Sequence, residues 1–434
     1  MNKKSCFLIT ILLCISVLCL FAGKDIEIAN ASEQTNPQTL VVWCHAVHNQ
    51  YAAGFGGAKI DLASEFEKKY NVKIEWVTLP FDGMQDKVLR QISMSQGEAD
   101  VVFYIDDWAY KTTLGMLESL DAYMKEEPIE AIEDIPASFW ETFSLDGHIK
   151  AFPYNSSIQV LHYNKAYYKE FGLSGPPTSL ENLVEAAKKT TFKKEDGSQV
   201  YGLAAVDGTG DSTTIAFIRA CGGKVLTQDF QVKINEKEAV YAISLLRDLY
   251  QAGSIPPDYT EITTVMRHNL VYQGLTSTLL HGYPYTTHYN DPEKSIVAGE
   301  MGVSYIPASE KTSFEVAPSK ATFWGVGIPK NSPAEKKQLA YEFLRFFSGV
   351  DSQIKMALNG ITSFRVSAFD TPAIVKKVLP TAGQPIPSFS GVSEVYDIVK
   401  EQCFLAISGK MEIQEALDKA ADLIKDVLKR EGIK

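Results

Sequence analysis

The chain has 434 residues, of which 45% are hydrophobic and 22% are charged. This composition is typical of a globular protein and excludes a disordered or low-complexity chain. The net charge is −11 and the sequence has no stripe of lysine and arginine, so we do not expect nucleic acid as a partner. Since domains have roughly 100–200 residues, the length predicts two domains or lobes.

The N-terminus has the pattern of a secretory signal peptide. Lys3 and Lys4 precede an apolar stretch over residues 6–23, and an Ala-x-Ala motif ends at Ala31. We expect cleavage after this motif, which assigns residues 1–31 to the signal. A signal anchor that is not cleaved stays an alternative, because the apolar stretch has roughly 18 residues. The protein is therefore expected to be extracytoplasmic, in the periplasm or associated with the cell surface.

The first part of the mature chain alternates between strands and helices. Apolar and alternating patterns predict strands over residues 38–44, 72–79 and 99–105. Apolar residues at helical spacing predict helices over residues 60–70 and 82–96. This alternation indicates an α/β protein with a parallel or mixed sheet and helices on both faces.

Later helices carry start signals and apolar stripes. Thr178 and Glu181 have the spacing of a capping box. Ser332, Pro333 and Glu335 combine an N-cap serine, a proline at the first helical position and a glutamate at the third. A third predicted helix, near the C-terminus, has a stripe formed by Ile413, Ala416, Leu417, Ala420, Ala421 and Ile424.

The sequence contains no catalytic signature such as HExxH, a Walker loop or GxSxG. Asp106 and Asp107 could supply two carboxylates for glycoside hydrolysis, but neighbours that leave a strand point to opposite sides. His45 and His48 have the spacing of metal ligands, but a site needs further donors, and nothing specific points to His281 and His288, the only plausible ones. We therefore expect no metal and no cofactor, and we favour a binding protein over an enzyme.

Polar and aromatic side chains lie together where predicted strands end. A sugar offers C–H faces that stack on aromatic rings and hydroxyls that bond to polar side chains, so this combination is typical of a saccharide cleft. Asp211 ends a glycine-rich turn that could present backbone N–H groups to a ligand. The other candidates are His45, Asp106, Asp107, Trp108, Tyr283, Tyr285 and Trp324.

Five segments in chain order carry a resemblance to a known family. They are residues 66–108, 115–124, 146–190, 321–349 and 360–374. The third segment is the most specific, with Pro-Tyr-Asn and Tyr-Asn-Lys elements and a Pro-Thr pair before a helix. The chain resembles the family-1 extracellular solute-binding proteins, the sugar-binding subunits of bacterial ABC importers, which include maltose- and trehalose-binding proteins.

The resemblance implies a two-lobed periplasmic-binding-protein fold of the type II kind. Mixed sheets flanked by helices would form each lobe, with a ligand cleft between the lobes and a hinge of a few crossing strands. The N-terminal lobe would comprise residues 38–153 with 312–363. The C-terminal lobe would comprise residues 154–311 with 364–434.

The resemblance also assigns roles to individual residues. Asp107 matches a hydroxyl-binding aspartate, and Tyr283 and Tyr285 match an aromatic stacking segment. Trp324 matches the tryptophan of a Gly-Trp-Gly motif, although Phe323 replaces the first glycine.

Two further positions depart from the family pattern. Asn155 and Ser157 lie near a position that an acidic sugar ligand often occupies, and this acid is missing here. Arg365 follows Phe364 instead of completing a Pro-x-Arg element, and we still expect it to reach the cleft.

The implied function is capture of a mono- to oligosaccharide and its delivery to the membrane permease subunits of an ABC importer. We expect a monomer that performs no chemistry. Alternatives are a sugar receptor for a sensor kinase or chemoreceptor, a secreted carbohydrate-active enzyme, and an ion binder. The family also includes members for glycerol phosphates, but the candidate positions hold too few Arg or Lys residues to favour a phosphate ligand.

Overall fold

The computed structural model describes residues 37–54, 59–135, 137–207, 211–365, 367–368, 373–378 and 381–433. The predicted signal peptide lies outside these ranges. The strands are β1 (Gln38–His45), β2 (Val72–Leu79), β3 (Val101–Ile105), β4 (Ser144–Leu145), β5 (His148–Ile149), β6 (Phe152–Asn164), β7 (Phe192–Lys193), β8 (Gln199–Val200), β9 (Thr278–Gly282), β10 (Met301–Ser304) and β11 (Ala321–Gly327).

The helices surround these strands in the same chain order. They are α1 (Ala46–Ala52), α2 (Leu62–Tyr70), α3 (Met84–Ser93), α4 (Lys111–Gly115), α5 (Asp121–Glu126), α6 (Ala137–Thr142), α7 (Lys165–Glu170), α8 (Leu180–Lys189), α9 (Thr213–Ala220), α10 (Lys237–Gln251), α11 (Thr264–Tyr272), α12 (Tyr285–Tyr289), α13 (Ala334–Ser348), α14 (Val350–Leu358), α15 (Ala373–Val378), α16 (Val392–Ile407) and α17 (Ile413–Arg430). The predicted alternation of β1, α2, β2, α3 and β3 is confirmed.

One mixed sheet organises the molecule, with strand order β10-β6-β11-β3-β1-β2 and with β9 also paired to β6. Strands β1 and β3 are parallel, whereas β11 is antiparallel to both of its neighbours, β3 and β6. The long strand β6 changes partner along its length. Residues 152–158 pair with β11, and residues 159–163 pair with β9.

Two hydrophobic cores lie on either side of the point where β6 changes its pairing partner. The first core takes its residues from 40–154 and 324–364, and the second takes its residues from 161–317 and 386–428. Along β6, and again on the way into β11, the chain passes from one core to the other. The predicted two-lobed α/β architecture with a mixed sheet is therefore confirmed, and the lobe boundaries given above stay a prediction.

Helix α8 begins one residue later than the predicted capping box requires. Ser179 is its N-cap, because the Ser179 hydroxyl accepts a hydrogen bond from the Asn182 backbone N–H at 3.1 Å. The Thr178 hydroxyl donates to the Asn182 side chain instead, at 2.9 Å. The Glu181 carboxylate accepts from the Ser309 hydroxyl at 2.6 Å, so this glutamate ties α8 to a distant loop rather than closing a capping box.

Contrary to the prediction, Ser332 does not cap α13. Its hydroxyl donates to the Asp100 carboxylate at 3.3 Å instead. The helix begins at Ala334 with Pro333 as its N-cap residue. Lys336, in the first turn of the helix, also bonds to Asp100, at 3.0 Å. The acid at the start of β3 therefore holds the beginning of α13 against the sheet.

Helix α17 packs its predicted apolar stripe into the second core. The side chains that share this buried face are Ala416, Leu417, Ala420, Ala421, Ile424, Val427 and Leu428. The opposite face carries the charged residues of the helix, which is the pattern of a helix that covers a core. Within the described ranges, no helix combines the length and apolarity needed to cross a membrane.

Truncation of the α17 stripe should destabilise the second core. We expect Ile424→Ala, at a fully buried position, to lower the free energy of unfolding by about 3 kcal/mol, because a cavity remains. Leu423→Ala is the matched control, since this neighbour is 36% exposed and should change stability by less than about 0.5 kcal/mol. Urea denaturation measures both. Equal losses in the two variants would contradict the burial pattern of α17.

Candidate functional site

A cleft with a volume of about 360 Å³ lies next to the point where β6 changes its pairing partner from β11 to β9. One wall comes from the end of β1, helix α1, the start of α3 and the turn after β3. The other wall comes from α11, the β9–α12 connection and α16, and strands β6 and β11 form the floor. The polar and aromatic side chains of the lining include His45, His48, Phe81, Asp107, Trp108, Asn155, Ser157, Asp211, Arg267, His281, Tyr285, Lys320, Thr322, Trp324 and Tyr396.

The register of β6 and β11 brings four residues to the floor of the cleft. Trp324 lies opposite Asn155, and Thr322 lies opposite Ser157. Since successive side chains of a strand point to opposite faces, these two pairs share one face of the sheet. Phe323, between them in sequence, points to the other face and packs on other aromatic residues.

Aromatic rings form the wall around Trp324. Its ring centroid lies 6.3 Å from that of Trp108, 6.2 Å from that of Phe81 and 4.3 Å from that of His48. The three contacts are edge-to-face, which is a favourable arrangement for aromatic pairs. The result is a rigid apolar surface beside the polar residues of the floor.

A buried ion pair lies beside this surface. The Lys320 ammonium is 3.2 Å from the Asp107 carboxylate, and both side chains are less than 10% exposed. Burial by itself lowers the pKa of Lys320, but the nearby carboxylates of Asp107, Asp211 and Asp106 outweigh it and raise that pKa above its ordinary value. Lys320 is therefore charged at neutral pH, and its charge is compensated mainly by Asp107.

Asp106 and Asp107 point to opposite sides, as the strand geometry predicted. Asp107 lines the cleft, whereas Asp106 lines a separate cavity together with Phe323. Burial and the charge of Asp107 raise the pKa of Asp106 to about 8. Asp106 is thus protonated at neutral pH, so this acidic pair carries one negative charge rather than two.

A second charged group lies on the opposite wall. The Arg267 guanidinium is 3.7 Å from the Asp211 carboxylate, and the His281 ring is 3.8 Å from the same oxygen. Arg267 also donates to Nε2 of His281 at 2.6 Å. The ring of Tyr285 stacks on His281 at 3.9 Å and covers this group.

Several buried polar atoms of the cleft have no hydrogen-bond partner among the described residues. The acceptors are Asp107 Oδ1 and Asn155 Oδ1, and the donors are Nε and Nη1 of Arg267; the Tyr396 hydroxyl can act in either way. Buried polar groups in folded proteins are nearly always satisfied, so a set of such atoms around one cleft indicates a ligand with both donors and acceptors.

The cleft unites most of the predicted site residues. Those that line it are His45, Asp107, Trp108, Asn155, Ser157, Asp211, Tyr285 and Trp324. Asp106, Tyr283 and Arg365 do not. Tyr283 is half-buried and packs in a small apolar cluster that includes Ile158.

Arg365 lies outside the cleft, contrary to expectation. Its side chain is completely buried, and its guanidinium donates to the backbone carbonyls of Ser348, Ala131 and Glu130 at 2.7–2.9 Å. Asp134 is 3.6 Å away and compensates its charge. Arg365 therefore ties its own segment to residues 130–134 and 348, and it does not line the cleft.

Sequence reasoning missed Arg267, Lys320, His281 and Tyr396 as cleft residues. Lys320 directly precedes β11, and His281 lies near the end of β9, so the strand-end pattern could have indicated both. Arg267 and Tyr396 lie within helices and carry no such signal. The sequence predicts too few Arg or Lys residues in the cleft for a phosphate ligand. The cleft contains two, Arg267 and Lys320, so the predicted number is wrong, but each of them is paired with a carboxylate.

Six of the seven histidines gather in or around the cleft. His45, His48 and His281 line it, and the others, His162, His268 and His288, pack behind its walls. Burial, together with the charge of His288, lowers the pKa of His45 to about 4. Burial also lowers the pKa values of the other five. The described residues contain no group of three or more side chains arranged to hold a metal ion.

This geometry defines a protein built to enclose a small polar ligand between two lobes. The chain belongs to the bacterial extracellular solute-binding protein family, whose sequence profile matches residues 52–354. This family consists of binding proteins rather than enzymes. The predicted family resemblance is confirmed.

Individual relatives are distant. The galactooligosaccharide-binding protein of Bacillus subtilis is 23% identical over 436 residues, covering 96% of each chain. The sn-glycerol-3-phosphate-binding periplasmic protein of Rhizobium meliloti is 26% identical over 314 residues, covering 64% of this chain and 67% of the relative. The crystal structure of an ABC transporter solute-binding protein from Agrobacterium radiobacter K84 in complex with ribitol has a TM-score of 0.74 at 21% identity, covering 90% of this chain and 98% of the other. This likeness confirms the periplasmic-binding-protein fold.

The buried histidines should make the protein sensitive to acid. Each histidine binds fewer protons in the folded protein than in the unfolded chain, where the histidine pKa is about 6.5. The contribution of the neutral histidines to the free energy of unfolding is therefore fully present above pH 6.5 and falls as the pH drops towards 4. Asp106 acts in the opposite direction because its pKa is raised, but the histidines outnumber it. We expect the free energy of unfolding to fall by at least about 2 kcal/mol between pH 7 and pH 5.

Thermal unfolding across this pH range measures the effect. His45→Gln should unfold with a shallower dependence on pH than the wild-type chain. His148→Gln, at an exposed position outside the cluster, is the control and should leave the dependence unchanged. A stability that is flat between pH 7 and pH 5 would contradict the burial of neutral histidines.

Proposed function

We propose that this protein captures a sugar in the cleft and delivers it to the membrane permease of an ABC importer. The observation that carries the proposal is the combination of the Trp324 aromatic wall with buried acceptors and donors that have no partner among the described residues. A sugar ring presents a C–H face to an aromatic surface, and each hydroxyl both donates and accepts. Relatives described as binding ribitol and galactooligosaccharides support the same class of ligand.

Capture works through closure of the two lobes around the ligand. In this structure, contacts between the two walls of the cleft include Tyr51 Oη, which lies 3.0 Å from His288 Nε2, and Ser393 Oγ, which lies 3.5 Å from Gln85 Oε1. A ligand that contacts both walls stabilises this closed form over an open one. The strands that pass between the cores act as the hinge, with lobes of residues 38–153 with 312–363 and 154–311 with 364–434.

The size of the cleft limits the ligand. Its volume of about 360 Å³ lies near the lower end of the range of roughly 300–1,000 Å³ for small-molecule sites. The two contacts between the walls named above further restrict a chain that would extend out of the cleft. We propose a ligand of one or two sugar rings, or a polyol of similar size.

The closed form then docks on the permease as a monomer and releases the sugar there. Residues 1–31 direct export, which places the mature protein outside the cytoplasm where an importer collects its ligand. We expect the protein to return the sugar chemically unchanged, because Asp106 and Asp107 point in opposed directions and so do not form a carboxylate pair that faces one bond.

Two substitutions in the cleft test the proposed site. Trp324→Leu removes the flat ring and retains apolar volume, and Asp107→Asn removes the charged acceptor at similar volume. Each should weaken sugar binding by about 2 kcal/mol while the protein stays folded. Asp106→Asn is the matched control, since Asp106 does not line the cleft and is neutral at pH 7. Unchanged sugar affinity in both cleft variants would contradict the assignment of this cleft as the binding site.

A panel of saccharides tests the class and length of the ligand. Tryptophan fluorescence and thermal shift are measured on residues 32–434 with mono-, di- and longer saccharides, and each bound sugar is recovered and analysed. We expect saturable binding of a mono- or disaccharide or a polyol, weaker binding of trisaccharides, and recovery of an intact ligand. Recovery of a cleaved sugar would make the protein an enzyme, and no response to any sugar would contradict the proposed function.

A further inference from the structure

Sequence likeness leaves the charge of the ligand open. The relatives include a protein described as binding sn-glycerol 3-phosphate, which is an anion, and another described as binding galactooligosaccharides, which are neutral. The cleft contains two buried cations, Arg267 and Lys320. Taken alone, these cations would suit a phosphate group.

Both cations are already compensated within the protein. Asp107 holds Lys320 at 3.2 Å, and Asp211 lies 3.7 Å from Arg267. Asp82 and Asp397 add two further carboxylates to the lining. Asp397 is itself paired with Lys400 at 3.4 Å and is screened by solvent. Within the described lining, the carboxylates therefore at least balance the two cations, and no net positive charge attracts an anion.

The histidines of the cleft add no positive charge at neutral pH. Arg267 donates to Nε2 of His281, so this nitrogen is an acceptor and the ring is neutral. The other ring nitrogen, Nδ1, donates to the Tyr289 hydroxyl at 2.8 Å. Burial keeps His45 and His48 neutral as well, by lowering their pKa values.

We infer that Asp211 and Asp107 determine specificity by neutralising Arg267 and Lys320, so that the cleft accepts an uncharged sugar or polyol and rejects its phosphorylated counterpart. This inference rests on the proposed function. An anion would have to displace a carboxylate from its cation or remain beside it, and either event costs electrostatic energy in a buried site. A neutral hydroxyl can instead use the remaining acceptors and donors without separating either ion pair.

The inference predicts that removal of one carboxylate creates an anion site. In Asp211→Asn, Arg267 loses its carboxylate partner, while its Nε and Nη1 donors stay buried with no partner in the part of the chain that the structure describes. An arginine in this state is a strong ligand for phosphate, because its donors form charge-assisted hydrogen bonds. Asp211 is 28% exposed, so the change to asparagine should leave the fold intact.

The experiment is isothermal titration calorimetry at pH 7.0 and physiological ionic strength. Four chains are compared: wild type, Asp211→Asn, the double variant Asp211→Asn/Arg267→Gln, and Asp397→Asn. The probes are glucose and ribitol as neutral ligands, with glucose 6-phosphate and sn-glycerol 3-phosphate as anions. Asp397 is 58% exposed, so its variant makes the same change of charge at a position where solvent screens it.

We expect the wild-type chain to bind neither anion. Asp211→Asn should raise affinity for at least one anion by at least about tenfold, the double variant should lose this gain, and Asp397→Asn should show no comparable gain. If Asp211→Asn fails to fold, Asp107→Asn with Lys320→Gln replaces the pair and tests the other cation. Tight binding of an anion by the wild-type chain, or no gain in the folded single variant, would overturn the inference.

The outcomes separate this inference from the proposed function. If the wild-type chain binds a neutral probe or any sugar of the panel and the anion gain is absent, the specificity inference fails and sugar capture stands. If the wild-type chain binds no sugar or polyol but binds a phosphorylated probe, both fail. A gain of anion binding in Asp211→Asn, with no sugar bound by any chain, would support the role of Asp211 and contradict sugar capture.

Discussion

The antiparallel pairing of β6 with β11 is the constraint on which the rest of the structure depends. It joins residues about 170 positions apart, such as Asn155 and Trp324, and so holds the two crossing segments of the chain together. The same pairing forms the floor of the cleft, because alternate side chains of both strands share one face. Under the proposed function, the hinge and the ligand site are therefore built from the same strands, and movement of the lobes acts directly on the site.

Charge placement in the cleft is costly for stability, and under the proposed function it serves recognition. Burying Lys320 with Asp107 and Arg267 with Asp211 costs desolvation energy that apolar residues would not require. Buried atoms that lack a partner within the described ranges, such as Asp107 Oδ1, add to this cost. Folded proteins tend to tolerate such costly buried charged and polar groups at functional sites. Here these groups lie around one cleft, and the two walls that carry them come from different lobes.

Much of the fold could be predicted from local patterns. Alternating apolar residues located β1, β2 and β3, and the stripe of α17 identified its buried face, because burial of apolar surface has a fixed period in each type of element. Helix starts were less predictable. Ser332 has an excellent local capping sequence, yet its hydroxyl bonds to Asp100, which is more than 200 residues away in sequence. A tertiary hydrogen bond replaced a local one of similar strength.

The sequence by itself determined which residues follow β3, and this indicated Asp107 and Trp108, because strand ends of a mixed sheet converge at one edge. It also determined the family, whose pattern indicated Trp324, a residue that lies inside β11 rather than at a strand end. Only the tertiary structure decided that Arg365 bonds to the backbone carbonyls of residues 130, 131 and 348 and that Arg267, from the middle of a helix, lines the cleft. The direction of a helical side chain depends on packing against distant segments, and neither spacing nor composition contains that information. The charge balance of the cleft was for the same reason a product of the fold.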